Sequence, residues 1–146
     1  MNSNLSVSSP TTPLEEAVGR IGDRWSLLVI DALLGGAKRF NELADALPAI
    51  SPNVLSQRLK RLEKEALVVT HPYSRKPLRL RYELTAGGRD LAGALRLLAH
   101  WGAGASESVD SPRHELCGTA IEPRWYCPTC ARVVDDGEAA AELRYI

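Results

Sequence analysis

The chain has no apolar run long enough to cross a bilayer. Its most apolar stretches are interrupted by Arg or Asp every few residues, whereas a spanning helix needs roughly 20 apolar residues in succession. Met1 to Thr12 is rich in Ser, Thr and Pro and lacks both the cationic start and the apolar stretch of a signal peptide. This segment predicts a disordered tail over residues 1–11 of a cytoplasmic protein. No Gly-x-Ser-x-Gly, phosphate loop or dinucleotide fingerprint occurs. His71 and His100 stand apart from any nucleophile, which leaves an enzyme reading without support. Net charge is also absent, with 18 basic and 18 acidic residues.

What is present is unevenly placed. Ten Lys or Arg lie between Lys38 and Arg81 against four acids, an excess of +6, and the remainder of the chain carries the balancing −6. A basic half on a neutral protein fits a face that meets phosphate, and it also fits an ordinary solvated surface. The 146 residues, 45% hydrophobic and 25% charged, suffice for one domain with its own core and a small appendage.

Local signals order the domain. Thr12-Pro13-Leu14-Glu15 reads as a capping box opening a helix to about Ile21. A second helix from Arg24 carries Trp25, Leu28, Val29, Ala32 and Leu33 at helical spacing and stops at Gly35-Gly36. Phe40, Leu43, Ala44 and Leu47 mark a third, closed by Pro48. Trp25 and Phe40 are expected in the core. The fourth helix, Ser51 to Ala66, places Leu55, Leu59, Leu62 and Ala66 on one stripe and Asn53, Gln57, Lys60, Arg61 and Lys64 opposite. Its Arg58 projects sideways, towards Glu42 or Asp45. Two strands follow, Leu67 to Tyr73 and the strictly alternating Leu78 to Thr85. They are joined by Ser74-Arg75-Lys76-Pro77, and their prolines fit an edge ribbon. A last helix from Gly88 to Trp101 shows Leu91, Leu95, Leu98 and Trp101 along one side. The expected fold class is mainly α with a small β-wing: a winged helix-turn-helix domain over residues 12–102. A linker and a small Cys-containing, β-rich unit occupy residues 103–146.

A recognition helix reaches base edges with its N-terminal residues, and Asn or Gln can pair with adenine. Asn53 and Gln57 are therefore the candidate readers, with Ser51 and Ser56 beside them. Lys60, Arg61 and Lys64 are candidates for phosphate, as are Lys38 and Arg39 ahead of the third helix. Arg75 and Lys76 at the wing tip suit the adjacent minor groove or backbone. A twofold dimer would double the footprint, with Leu14, Val18, Leu91, Leu95, Leu98 and Trp101 as candidate interface. Two other readings remain open. The leucine stripe could cover the monomer's own core, and the winged helix could be a protein-interaction module that does not bind DNA.

Ile21-Gly22-Asp23-Arg24-Trp25, Arg39-Phe40-Asn41-Glu42-Leu43, Ile50-Ser51-Pro52-Asn53-Val54-Leu55-Ser56-Gln57-Arg58-Leu59 and Pro77 to Thr85, with Gly88 and Trp101-Gly102, resemble the HxlR family of regulators over residues 13–102. The resemblance implies a MarR-like winged-helix fold and a homodimer built from the first and last helices of the domain. It also implies control of genes in response to a small-molecule effector or oxidant. Several family members carry a sensing cysteine near the first helix. Here the first cysteine is Cys117, so that switch is excluded.

His114-x-x-Cys117 and, after nine intervening residues, Cys127-Pro128-Thr129-Cys130 have the donor types and spacing of a structural zinc site. Three readings stand: a zinc ribbon holding His114, Cys117, Cys127 and Cys130; a ribbon that has lost its metal and packs as a small β-unit; and a redox-responsive Cys127/Cys130 pair.

Overall fold

The computed structural model describes residues 11–104 and 113–134. The expected N-terminal tail falls almost wholly outside the described residues, as do most of the linker and the last twelve residues.

Helix α1 (Pro13–Ile21) starts as its sequence predicts: Thr12 Oγ1 accepts from the Glu15 N–H at 3.2 Å, and the Glu15 carboxylate accepts from the Thr12 N–H at 2.7 Å. Helix α2 (Arg24–Leu34) is capped by Asp23, whose carboxylate accepts the Ser26 N–H at 3.1 Å. A two-residue strand β1 (Lys38–Arg39) leads into α3 (Phe40–Ala46), and α4 (Pro52–Lys64) follows from an N-cap at Ser51. The wing is β2 (Val68–Arg75) and β3 (Leu78–Leu84), antiparallel, with Val68 opposite Leu84 and Arg75 opposite Leu78. Strand order is β1-β3-β2, so Pro72 lies on an edge strand, where its missing N–H costs no ladder bond. The register shifts between Pro72 and Ser74, and β2 runs on to Arg75, shortening the turn to Lys76-Pro77.

Val29, Ile30 and Leu33 of α2, Leu43 of α3 and Leu55, Leu59 and Leu62 of α4 are buried together with Leu67, Val68 and Leu84. Burying such a side chain contributes roughly 1.5–3 kcal/mol, so the three leucines of α4 suffice to orient that helix with its opposite face outward. Trp25 and Phe40, expected in the core, are only half-buried. The Arg24 guanidinium lies 4.6 Å from the Trp25 ring centre, covering it with a cation instead of with core.

Two boundaries differ from the sequence reading. Helix α4 ends at Lys64, not Ala66, in a closing motif that satisfies two carbonyls. Leu67 N–H donates to Leu62 O at 2.9 Å and Ala66 N–H to Glu63 O at 3.0 Å, with Ala66 left-handed at φ 56°. The expected single helix from Gly88 is broken into α5 (Ala86–Arg89) and α6 (Ala92–Gly104). Thr85 caps α5, accepting from Gly88 N–H at 3.0 Å while its hydroxyl donates to Ala66 O at 2.7 Å. At the break, Leu91 N–H reaches Gly88 O, three residues back, instead of continuing the four-residue ladder. Gly88 has no substitute here, since a Cβ would stand 2.2 Å from Leu67 O.

The chain divides into two compact units, Met1–Ala92 and Gly93–Ile146. Nearly all of α6 therefore groups with the C-terminal residues. Beyond α6 the second unit carries an isolated bridge between Arg113 and Ala120 and a hairpin of β4 (Trp125–Cys127) with β5 (Arg132–Val134).

Candidate nucleic-acid interface

Asn53, Gln57, Lys60 and Lys64 are all exposed. Their spacings of four, three and four residues place them in one line along α4, on the side away from Leu55, Leu59 and Leu62. None of Lys60, Lys64, Arg75 and Lys76 forms an ion pair within the described residues, and the wing-tip pair is exposed. Ser51 is occupied as the helix cap, its hydroxyl accepting from Val54 N–H at 3.3 Å. Ser56 is half-buried on the flank.

The other two cations of α4 point backwards. Arg58 pairs with Asp23 at 2.8 Å, not with Glu42 or Asp45 as its sequence neighbourhood suggested. Arg61, expected among the phosphate contacts, donates to Gly19 O at 2.7 Å and lies 3.8 Å from the Asp23 carboxylate. At the C-terminal end of α4, Arg20 donates to both the carboxylate and the carbonyl of Glu65 at 2.9 Å. The α1–α2 corner therefore grips the back of α4 through three arginines. Sequence reasoning missed Asp23 in this role. Its cap position before Arg24 was legible, but its partner 35 residues onward was not.

Burial works to raise the Asp23 carboxyl, yet hydrogen bonds from the Ser26 hydroxyl and N–H, with the Arg58 guanidinium, outweigh it and hold the pKa below the ordinary value. Asp23 thus stays ionised and holds Arg58 at 2.8 Å, with Arg61 at 3.8 Å. The Glu42 carboxyl is likewise lowered, first by the Arg39 N–H that it accepts at 2.6 Å.

Lys38 and Arg39 form β1, paired with Tyr82 and Arg81 of β3. The Arg39 guanidinium lies 4.5 Å from the Tyr73 ring centre, which anchors the α3 entry to the wing. Between α3 and the wing lies a cavity of about 580 Å³ lined by Phe40, Tyr73, Leu80 and Tyr82 with Arg39 and Arg79 at its polar side. That volume is within the range of small-molecule sites.

This arrangement is a helix-turn-helix with its second helix presenting amides, then lysines, beside a cationic hairpin. The HxlR-like helix-turn-helix family matches residues 20–110. The chain belongs to that family. An uncharacterized HTH-type transcriptional regulator of Mycobacterium tuberculosis is 37% identical over 127 residues, covering 82% of this chain and 80% of the relative. A MarR-family regulator from Enterococcus faecalis superposes with a TM-score of 0.58 at 37% identity, covering 70% of this chain and 94% of that one. A Pseudomonas aeruginosa protein solved as a transcription factor superposes at 0.65 and 31% identity, covering 84% and 86%. This HxlR protein is accordingly a transcriptional regulator, not an enzyme, with a MarR-like winged helix. The mycobacterial and Pseudomonas matches span more of the chain than the family segment does.

Of the candidate dimer residues, Leu14, Val18, Leu98 and Trp101 are 72%, 54%, 52% and 74% exposed. Leu91 is half-buried. Leu95 is already buried within the single chain. No residue of α1 is buried. Among the described residues no helix is long and apolar enough to cross a membrane.

His114 Nδ1 lies 3.4 Å from Cys117 Sγ, and Cys127 and Cys130 flank the turn between β4 and β5. None of the three cysteines forms a disulfide. Among the described residues no three His, Cys, Asp or Glu side chains gather closely enough to share an ion.

Proposed function

We propose that this HxlR regulator binds double-stranded DNA as a homodimer, with α4 in the major groove and the wing tip on the adjacent minor groove or backbone. One observation carries the reading: Asn53, Gln57, Lys60 and Lys64 form an exposed line free of acids, backed by a polar clamp that fixes the helix. Asn53 and Gln57 supply base readout, and Lys60 and Lys64 meet phosphate. Lys38, Arg39, Arg75 and Lys76 extend the contact along the backbone. Arg61 belongs to the clamp and not to the DNA contacts.

The exposed apolar side chains of α1 and α6 supply the surface for a second copy, and two recognition helices would then address sites roughly 34 Å apart. The cavity between α3 and the wing suits a small amphipathic effector.

Fluorescence anisotropy with duplex DNA from next to the regulator's own gene tests the central reading. Saturable binding that weakens steeply between 50 and 200 mM salt is expected. Absence of duplex binding by a folded dimer refutes it and favours a protein-interaction module. Light scattering checks the assembly, with a mass twice the 15.9 kDa of one chain expected. Trp101→Glu with Leu98→Glu should return the protein to monomer.

A further inference from the structure

The C-terminal unit contains two turns with one geometry. In the first, His114 and Cys117 are donors i and i+3. Gly118 at i+4 is left-handed at φ 70°, and Arg113 pairs with Ala120 across the turn. In the second, Cys127 and Cys130 are i and i+3. Ala131 at i+4 is left-handed at φ 51°, and Tyr126 pairs with Val133. The register is the same in both: the residue before the first donor lies opposite the sixth residue after that donor. Glycine accepts a left-handed backbone freely, but for alanine it costs about 1–2 kcal/mol. The second turn nevertheless keeps it. A backbone of this form turns both side chains of an i, i+3 pair to one side, and in the first pair His114 Nδ1 meets Cys117 Sγ at 3.4 Å.

We infer that His114, Cys117, Cys127 and Cys130 together bind one zinc ion, which joins the two turns into a ribbon.

The donor geometry supports this. A tetrahedral ion with Zn–N about 2.0–2.1 Å and Zn–S about 2.3 Å requires an N···S separation of about 3.6 Å. His114 Nδ1 and Cys117 Sγ stand 3.4 Å apart, so the first pair needs almost no rearrangement. Cys127 and Cys130 flank the turn of the β4–β5 hairpin, three residues apart as His114 and Cys117 are. The two pairs remain separate in the structure, and apolar burial does little to unite them. Leu116 is 90% and Tyr126 60% exposed, and Ile121, Trp125 and Val133 are exposed too. A unit this short lacks the core to close itself and commonly depends on a metal staple. Closing the site is then a folding step driven by the ion. Three Cys S–H bonds ionise and neutral His114 contributes a nitrogen lone pair. One Zn²⁺ is bound, three protons are released to solvent, and nothing is oxidised.

The test uses the full chain, purified in reducing buffer without chelator. Elemental analysis is expected to find one zinc per chain, and zinc added to the metal-free protein should release protons, fewer of them as rising pH ionises the thiols beforehand. Replacement with cobalt(II) should give the visible bands of a tetrahedral ion and the near-ultraviolet absorption of three thiolates. Cys130→Ser and His114→Ala should each lower the zinc content, whereas His100→Ala, on α6, should not. Chelation should shift NMR signals of residues 113–134 and leave those of α2 to α4 in place, which separates metal loss from global unfolding. Zinc below roughly a tenth of an ion per chain, with no cobalt spectrum, overturns the inference. So does full zinc retention in Cys130→Ser, or a Cys127–Cys130 disulfide in the protein isolated under these reducing conditions. None of these readouts involves DNA, so the zinc site and the DNA-binding reading fail independently.

Discussion

Two cations one residue apart on the same helix should behave oppositely when removed. Lys60 is exposed and forms no ion pair among the described residues, while Arg61 is bound to Gly19 O at 2.7 Å and approaches Asp23. Each phosphate neutralised contributes about 0.9 to the slope of log affinity against log salt on duplex DNA. A homodimer carries two copies, so Lys60→Ala should reduce the slope by about 1.8. Across the fourfold range from 50 to 200 mM salt, wild type should then lose on the order of tenfold more affinity than the variant. Arg61→Ala should leave the slope unchanged. Its cost should appear in stability, at about 0.5–1 kcal/mol, discounted because the side chain is 39% exposed. Anisotropy titrations at four salt concentrations, with urea melts of both variants, measure the two effects. The reasoning fails if Arg61→Ala lowers the slope as much as Lys60→Ala, or if Lys60→Ala leaves it untouched.

Gln57→Ala should relax base preference at one position, with about 1–3 kcal/mol of discrimination lost; a selection experiment returning an unaltered site would remove Gln57 as a reader. Asp23→Asn keeps a side-chain oxygen for the Ser26 N–H but loses the charge opposite Arg58, and should cost about 1 kcal/mol near neutrality. Because folding lowers the Asp23 pKa, its contribution is complete above the unfolded value of about 3.9 and is lost as pH falls through the lower folded value. The gap between wild type and Asp23→Asn should therefore close in strongly acidic buffer; a gap that persists there would show that charge is not its source. Ala66→Gly should stabilise the protein by about 0.5–1 kcal/mol, since glycine accepts φ 56° without the alanine penalty. A lower melting temperature for that variant would contradict the closing motif described for α4.

Much of the fold was written locally. The Thr12 capping box, the Ser51-Pro52 start of α4, its Leu55, Leu59 and Leu62 stripe and the alternation of β3 each depend on residues a few positions apart. Hydrogen-bond reach and side-chain period therefore disclose them in one dimension. The same period separated Asn53, Gln57, Lys60 and Lys64 from the core face, which is why most of the candidate interface was legible. What the tertiary structure alone decided is which cations are free. Arg58 and Arg61 share the helix with Lys60, but Asp23 and Gly19, distant in sequence, draw them to its back. The two-residue strand at Lys38–Arg39 carries no periodicity of its own and exists because β3 offers an edge. The split between α5 and α6 follows from Thr85 capping against Ala66 O and from the space that Leu67 O denies to any side chain at Gly88. Local chemistry proposes elements; only packing between distant segments assigns each charged side chain its partner.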